Sequence, residues 1–375
     1  MWKLLLAGAI ALGAGPAQAC TALKISDKQG NVYSGKTLEF AVPLPFEMIF
    51  VPAGTQTTSP APRGKTGQSF ATRYPVLGVG ADPGLGSPVP MMVEAINDRG
   101  LSLSTNELDG SQSPAYPASN QANYLAASDL GLYLLGRYQT VAEVRRALES
   151  GEVRVWLPQL PVMGNARSPL HYVFFDRSGA GIVVEYLNGR QTIYDNPVGV
   201  ATNAPDFGWH LKNLNNYAFL TNVDKNRGTF GNLKVQAPDA GSALASVPSA
   251  QISPGRFVKA AYYVTYARKA STPDGAVITL GHILNNFDRV KDISIDQGSG
   301  SEGSSGNSVT SEVTQFTWMN DKQRNRYYLR TIDALNFASF EIDQLAPIKQ
   351  LVRVPLARIN DSQLDGTKIL LNAVK

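Results

Sequence analysis

Short runs in which apolar and polar residues alternate follow one another along most of the chain, and this period of two is typical of half-buried β-strands. Segments with helical periodicity separate groups of these runs, and Thr140 with Glu143 predicts a capping box at the start of one helix. The predicted strands are 21–25, 32–33, 46–51, 91–96, 101–105, 170–175, 181–187, 191–194, 313–320, 327–332 and 337–341, and the predicted helices are 129–138, 141–149 and 257–269. Because strands come in groups with helices between the groups, the pattern indicates an α+β layered fold rather than a parallel doubly wound one.

Two segments have the composition of loops. Residues 298–307 are almost entirely Gly and Ser, which predicts a flexible connection inside the fold. Residues 52–62 are rich in Pro, Thr and Ser, and we expect an exposed loop there as well. The sequence contains no internal repeat and no glycine-rich phosphate loop.

The first nineteen residues have the pattern of a secretory signal. One positive charge at Lys3 precedes an apolar run, and Ala17-Gln18-Ala19 gives the small-x-small ending that precedes cleavage. The apolar run is shorter than the roughly 20 residues that a membrane span needs. We therefore expect residues 1–19 to be a signal peptide, residues 20–375 to form a single domain, and the mature protein to be secreted or periplasmic without a stable membrane anchor.

The overall composition is that of a globular protein. Hydrophobic residues make up 43% of the chain and charged residues 17%, which is too apolar for a disordered chain. The formal net charge is only +4, and no run of Lys and Arg is longer than two residues. A nucleic-acid binder usually has a clustered basic stripe, so we expect no nucleic-acid partner.

Cys20 is the only cysteine, which excludes an internal disulfide and a Cys-rich zinc site. Three interpretations remain open. In the first, Cys20 is simply the residue after a cleavage site and has no function. In the second, it is a lipidated N-terminal cysteine, although Ala17 and Gln18 fit a lipoprotein signal poorly. In the third, cleavage makes Cys20 an N-terminal nucleophile, whose freed α-amine, with a pKa of about 7.7–8.0, takes the proton of its own thiol. The spacing alone does not choose among them.

Four segments together resemble the choloylglycine hydrolase family of N-terminal-nucleophile amidases, which includes bile salt hydrolases, penicillin V acylases and acyl-homoserine-lactone acylases. They are Cys20-Thr21-Ala22 with the downstream stretch 35–40, the stretch 94–101, the stretch 196–217 containing Thr202-Asn203, and Pro254-Gly255-Arg256-Phe257 with the residues that follow to 261. The late strand 312–317 also fits, so the resemblance covers nearly the whole chain after Cys20. It implies a four-layer αββα sandwich of two mainly antiparallel sheets.

The resemblance also implies the site residues. Cys20 is expected to attack a linear amide, Asn203 to donate to the oxyanion, and Arg256 to hold the thiol and a neighbouring carboxylate. A second oxyanion donor is expected at Asn106 or Glu107, and Asn106 has the right chemistry because an amide NH₂ donates whereas an ionised carboxylate does not.

The chain departs from the family at two of its expected catalytic positions. Lys36 stands where the family usually has Arg, and Glu39 stands where it usually has Asp. Lys keeps the charge of Arg but loses the planar fork, and Glu places its carboxylate one methylene further out. The paired change either compensates within the site or marks a subgroup with a different geometry.

The expected substrate is a small amide with an apolar acyl group. An apolar pocket would fit a penicillin V side chain, a bile acid or a fatty acyl chain equally well. Its candidate walls are Phe40, Phe46, Met48, Ile49, Met91 and Met92, each of which could equally be sheet core.

No cofactor or metal is expected, because His171, His210 and His282 are not at metal-ligand spacing and the α-amine replaces a histidine base. The resemblance allows a homo-oligomer, a tetramer by analogy. The alternatives are a secreted or lipidated binding protein without turnover, and another amidase or peptidase of the wider N-terminal-nucleophile group.

Overall fold

The computed structural model describes residues 18–41, 43–116, 121–163, 165–297, 309–359 and 366–374. The strands in chain order are β1 (Gln18–Ser26), β2 (Val32–Phe40), β3 (Glu47–Val51), β4 (Gln56–Ala61), β5 (Lys65–Ala71), β6 (Val76–Ala81), β7 (Met91–Asn97), β8 (Ser102–Glu107), β9 (Tyr124–Ala126), β10 (Arg154–Trp156), β11 (Gln159–Leu160), β12 (Ala166–Arg167), β13 (Leu170–Phe175), β14 (Gly181–Leu187), β15 (Arg190–Asp195), β16 (Val200–Ala201), β17 (Arg227–Phe230), β18 (Leu233–Gln236), β19 (Asp296–Gln297), β20 (Val309–Thr310), β21 (Val313–Asp321), β22 (Arg326–Thr331), β23 (Ala338–Glu341) and β24 (Val352–Pro355). The α-helices are α1 (Leu130–Arg137), α2 (Val141–Glu149), α3 (Phe207–Asn213), α4 (Ser253–Tyr266), α5 (Pro273–Asn285) and α6 (Gly366–Asn372).

Two large sheets form the centre of the fold. The six-stranded sheet has the order β16-β1-β2-β21-β22-β23, and the eight-stranded sheet has the order β15-β14-β13-β8-β7-β6-β3-β24. Every neighbouring pair in both sheets is antiparallel. The predicted α+β architecture of two mainly antiparallel sheets is therefore confirmed.

Helices cover the outer face of each sheet. α4 and α5 pack against β1, β2 and β21, whereas α1 and α2 pack against strands of the eight-stranded sheet. Between the sheets, Cys20, Leu38 and Phe316 belong to the larger hydrophobic cluster, while Leu23 and Tyr33 join Phe257 in a second cluster beneath the helices. The order of layers is αββα, as the resemblance implied.

Most predicted elements are present, with boundaries shifted by a few residues. The capping box is confirmed, since Thr140 Oγ1 accepts from Glu143 N at 3.2 Å and Glu143 Oε2 accepts from Thr140 N at 3.1 Å. The helix predicted at 257–269 begins earlier, at Ser253 in α4, because Pro254 suits a first helical turn rather than excluding one.

The prediction of an exposed loop at 52–62 is wrong in part. β4 occupies Gln56–Ala61 and pairs with β5, and alternate residues of β4 are buried. Ser59 is 1% exposed, and its hydroxyl donates to Asp129 Oδ2 at 2.6 Å. The segment forms a strand despite its loop-like composition, because its polar side chains find buried partners such as Asp129 on a distant segment. The predicted glycine-serine loop at 298–307 lies outside the described residues, as do residues 1–17 of the expected signal.

β2 is buried along its whole length, because the eight-stranded sheet covers one face and helices cover the other. Strands covered on both faces are usually continuously apolar. β2 instead carries Ser34, Lys36, Thr37 and Glu39. Since burying such groups costs free energy unless they are paired, this polar central strand points to a site.

Candidate active site

Cys20 lies near the start of β1, directly opposite Leu38 of β2, and its side chain is fully buried. Burial raises the pKa of the Cys20 thiol to about 11, while the positive charges of Lys36 and Arg256 lower it. The thiol is therefore protonated at neutral pH. It needs a base to become the thiolate, which is the nucleophilic form.

Asn203 binds the backbone nitrogen of Cys20. Its Oδ1 accepts from Cys20 N at 2.7 Å and from Arg256 Nη2 at 2.8 Å, and its Nδ2 donates to Glu107 O at 3.0 Å. Two donors on one side and an acceptor on the other fix the orientation of the side-chain amide. Asn203 therefore holds the nitrogen that becomes the α-amine if the chain is cut before Cys20.

Arg256 connects the helix layer to Cys20. It lies in the first turn of α4 with 2% of its surface exposed, and it donates to Cys20 O, to Thr21 Oγ1 at 2.8 Å and to Gln251 O at 2.9 Å. Burial lowers the pKa of Arg256 to about 10, and the charge of Glu39 opposes that shift. The guanidinium therefore stays charged at neutral pH, and it holds the carbonyl of Cys20 and the side chain of Asn203 rather than the thiol.

Lys36 forms an ion pair between the two sheets. Its Nζ lies 2.5 Å from Glu94 Oε1 of β7, donates to Thr105 O, and both side chains of the pair are fully buried. Burial lowers the pKa of Lys36, but the Cys20 sulfur, once it is ionised, and the Glu94 carboxylate outweigh the effect of burial and raise the pKa overall. Lys36 is thus a fixed positive charge on the same face of the sheet as the Cys20 thiol.

Glu39 lies on the opposite face of β2 from Lys36, toward α4. Side chains three positions apart on a strand point to opposite faces. Glu39 Oε1 accepts from Thr314 Oγ1 at 3.1 Å. Burial raises the pKa of Glu39 to about 7, against the lowering effect of Arg256 and Arg289. The two departures from the family pattern therefore have separate partners, and they do not compensate each other through a direct contact.

Asn106 and two histidines support the segment that carries Asn203. Asn106 Nδ2 donates to Thr202 O at 2.7 Å, and a ring nitrogen of His171 lies 2.9 Å from the same oxygen. His210 Nε2 lies 2.9 Å from Asn203 O, and burial lowers the pKa of His210 to about 4. The neutral imidazole of His210 therefore donates this hydrogen bond at neutral pH and helps to fix Asn203.

Two cavities are lined by neighbours of Cys20, although Cys20 itself lines neither. The outer one has a volume of about 540 Å³ and is lined by Ala19, Asn203 and Arg256 together with several other charged residues. The inner one, about 20 Å³, is lined almost entirely by apolar side chains, among them Leu38, the partner of Cys20 in the ladder. Of the candidate pocket walls, Phe40, Phe46 and Met91 line the inner cavity, whereas Met48, Ile49 and Met92 are buried in the sheet core and do not.

The structure brings all six predicted site residues into one region, where the start of β1 meets the end of β2. They are Cys20, Lys36, Glu39, Asn106, Asn203 and Arg256. Sequence reasoning gave no role to Glu94, although an acidic residue within the apolar run 91–96 was a usable signal. His171 and His210 had no such signal, because the backbone carbonyls of Thr202 and Asn203 come near them only in the fold.

Within the part of the chain that the structure describes, no three His, Cys, Asp or Glu side chains cluster as metal ligands. No helix among the described residues is long and apolar enough to cross a membrane.

Comparison with known proteins gives a consistent result. The profile of the linear amide C–N hydrolases, choloylglycine hydrolase family, matches residues 20–347. The chain is 25% identical over 360 residues to a bile salt hydrolase/transferase of Clostridium perfringens, covering 93% of this chain and 95% of the relative. A solved variant of the conjugated bile acid hydrolase of that organism superimposes with a TM-score of 0.75 at 22% identity, covering 90% of this chain and 97% of the other. Penicillin V acylase from Agrobacterium tumefaciens superimposes with a TM-score of 0.70 at 18% identity, covering 90% and 92%.

Proposed function

The chain belongs to the choloylglycine hydrolase family of linear amide C–N hydrolases, and from that premise we propose that it hydrolyses its substrate through the Cys20 thiolate, with the α-amine of Cys20 as the base. The observation that carries this proposal is the 2.7 Å hydrogen bond from Cys20 N to Asn203 Oδ1. It holds the nitrogen of the nucleophilic residue in place, with the buried thiol on the same residue.

The proposed steps balance in protons. The free α-amine takes the proton of the thiol, and the sulfur attacks the amide carbonyl carbon. The resulting ammonium gives the proton to the leaving amine as the carbon–nitrogen bond breaks, which leaves a thioester on Cys20. Water, deprotonated by the same amine, then attacks the thioester carbonyl, and the carbon–sulfur bond breaks to release the acyl group as an acid. The ammonium returns its proton to the sulfur, which restores the thiol and the free amine.

The developing oxyanion needs donors, and two amide groups lie near Cys20. Asn203 Nδ2 carries two hydrogens, and it donates one of them to Glu107 O at 3.0 Å. We propose that its second hydrogen stabilises the oxyanion. Asn106 Nδ2 donates to Thr202 O at 2.7 Å and to Ala201 O at 3.4 Å, so it can become the second donor only by giving up the longer of these contacts when substrate binds. Loss of one such donor typically lowers kcat by about 10²–10³-fold.

We propose that the two cavities receive the two halves of the amide. The leaving amine must reach the Cys20 nitrogen to receive its proton. Asn203, which accepts from that nitrogen, lines the outer cavity together with Arg256, which binds Asn203. The acyl group then lies on the other side of Cys20, toward the apolar inner cavity. Since that cavity is about 20 Å³ in volume, we propose that its walls move apart when an apolar acyl group binds.

We further propose that cleavage between Ala19 and Cys20 activates the exported protein. Gln18 and Ala19 continue β1 beside β2, and Ala19 lines the outer cavity. Removal of the residues before Cys20 would free the α-amine and enlarge the space for the leaving amine in one step.

A hydrolysis panel on protein that begins at Cys20 tests the proposal. The panel contains penicillin V, glycine- and taurine-conjugated bile acids, and acyl-homoserine lactones of several chain lengths. We expect turnover of at least one class and its loss in Cys20→Ser, with an unchanged melting temperature. Equal turnover by Cys20→Ser would contradict the thiolate mechanism, and binding without turnover would indicate a binding protein. Intact mass checks that Cys20 carries neither a lipid nor the leader.

A further inference from the structure

The carbonyl oxygen of Thr202 faces two side chains that lie next to each other on the eight-stranded sheet. His171 of β13 pairs directly with Asn106 of β8, and both side chains are buried. Asn106 Nδ2 lies 2.7 Å from Thr202 O, and His171 Nε2 lies 2.9 Å from it. Thr202 follows β16 of the other sheet and directly precedes Asn203. Since a carbonyl oxygen has two lone pairs, the two contacts together fix the peptide before Asn203.

The second ring nitrogen of His171 faces a carboxylate. Its Nδ1 lies 3.0 Å from Glu185 Oε1 on the neighbouring strand β14, and the two side chains are 2% and 1% exposed. The same Oε1 accepts from the backbone nitrogen of Phe207, the first residue of α3, at 2.9 Å. Glu185 is therefore anchored at α3, and it orients the His171 ring toward Thr202.

These contacts fix the number of protons on the pair. Both atoms that face the His171 ring are acceptors, a carboxylate oxygen and a carbonyl oxygen, whereas a neutral imidazole has only one N–H. Both hydrogen bonds therefore form only when the pair holds one further proton. Because imidazole is a stronger base than a carboxylate, that proton lies on His171, and the buried pair with Glu185 has no net charge. His210 differs, since one N–H is enough for its contact to Asn203 O.

We propose that His171 is a positioning residue for the hydrolysis. Held as an imidazolium by Glu185, it fixes Thr202 O and, through that peptide, the oxyanion donor Asn203. The inference rests on the proposed function, which makes Asn203 and Asn106 the two donors. Asn106 Oδ1 is buried without a hydrogen-bond partner among the described residues, so its Nδ2 contacts orient the amide. With His171 in place, Thr202 O keeps a charged donor while Asn106 turns one hydrogen toward the oxyanion.

Two substitutions separate the two ring contacts. His171→Gln places an amide nitrogen where Nε2 lies and keeps the donor to Thr202 O, whereas His171→Asn places one where Nδ1 lies and keeps only the contact to Glu185. Both remove the imidazolium. Because His171 lines neither cavity next to Cys20, its loss should lower kcat rather than raise KM. We expect kcat to fall by less than about fivefold in His171→Gln and by roughly 10–10²-fold in His171→Asn, with KM within about threefold in both.

His282→Gln is the matched control, because His282 is exposed on α5, and it should keep both kcat and KM. Equal losses in the two His171 variants would show that the residue only stabilises the fold, and they would overturn the inference. A loss expressed in KM would overturn it as well, because it would indicate a role in substrate binding. A parent protein that hydrolyses no member of the panel would instead overturn the proposed function.

A spectroscopic measurement tests the pair without any substrate. In protein that begins at Cys20 and carries ¹⁵N-labelled histidine, the signals of the three imidazoles are assigned with His171→Gln and His282→Gln. At neutral pH we expect both ring nitrogens of His171 to carry a hydrogen, and only one ring nitrogen of His210 to do so. A His171 ring with one nitrogen free of hydrogen would overturn the inference, whatever the activity of the protein.

Discussion

The two faces of β2 carry different polar groups. On the inter-sheet face, Lys36 forms a fully buried ion pair with Glu94. On the helix face, Glu39 accepts a hydrogen bond from Thr314, and the charge of Arg256 lowers its pKa from a longer distance. We call the first pair closed, because Lys36 and Glu94 are both fully buried and each is the ion-pair partner of the other. We call the second group, Glu39, Arg256 and Asn203, open. Arg256 donates to the backbone of Cys20 and lines the outer cavity.

The difference separates two tasks. Because Lys36 and Glu94 are fully buried against each other, we propose that they influence the reaction only through their charges near the Cys20 thiol. The open group fixes the nitrogen of Cys20 through Asn203 and borders the space for the leaving amine. Breaking the open group should therefore reduce catalysis most, and breaking the closed pair should reduce stability more than catalysis.

The largest effect is expected from Arg256→Gln. The variant loses the hold on Cys20 O and on Asn203 and leaves Glu39 buried without its nearest guanidinium. We expect kcat to fall by about 10²–10³-fold, and the free energy of unfolding to fall by about 3–5 kcal/mol, measured by steady-state kinetics and urea titration. Arg353→Gln removes an exposed arginine and should cost about 1 kcal/mol or less. A kcat within threefold of the parent would contradict the role of Arg256.

Glu94→Gln tests the closed pair. It leaves the Lys36 ammonium buried without a counter-charge, and we expect the free energy of unfolding to fall by about 3–5 kcal/mol. The double variant with Lys36→Met removes both charges and should be more stable than the sum of the two single changes predicts. Strictly additive losses in urea titrations would show that the two side chains do not act as a pair.

The pH dependence of stability tests Glu39. Its folded-state pKa of about 7 lies above the ordinary value of 4.5, so the folded protein holds this proton more tightly than the unfolded chain does. The resulting stabilisation is complete below pH 4.5 and is lost as the pH rises through 7, by about 3 kcal/mol at most. Denaturant titrations across this range should show a shallower decline for Glu39→Gln. The same slope in both proteins would mean that Glu39 titrates normally.

The smallest effect is expected from Thr314→Val. The change removes the hydroxyl that donates to Glu39 Oε1 and accepts from Arg289 N, while keeping the shape of the side chain. We expect a loss of about 1–2 kcal/mol in the free energy of unfolding. Thr58→Val, which alters an exposed hydroxyl on β4, should change it by less than about 0.5 kcal/mol. An equal loss of unfolding free energy in the two variants would show that the hydrogen bond from Thr314 to Glu39 does not stabilise the fold.

The sequence predicted the layered fold because alternation marks strands that are packed on one face. It missed α5, where Gly275, Gly281 and the β-branched run 277–279 lower helix propensity and packing against β2 and β21 overrides it. The resemblance gave the positions of the six site residues, but it did not give their partners. Whether Lys36 meets Glu94 or Glu39 depends on which face of β2 each occupies and on the strand that lies opposite.

The most direct test of the central claim compares two chains that differ by one residue, one beginning at Cys20 and one beginning at Ala19, each verified by intact mass. With the best amide of the panel, the account predicts turnover and a transient acyl mass on the N-terminal peptide only for the chain that begins at Cys20. The chain that keeps Ala19 lacks the base and should be slower by about 10²–10⁴-fold. Equal turnover by both chains would contradict the claim that the free α-amine of Cys20 is the catalytic base.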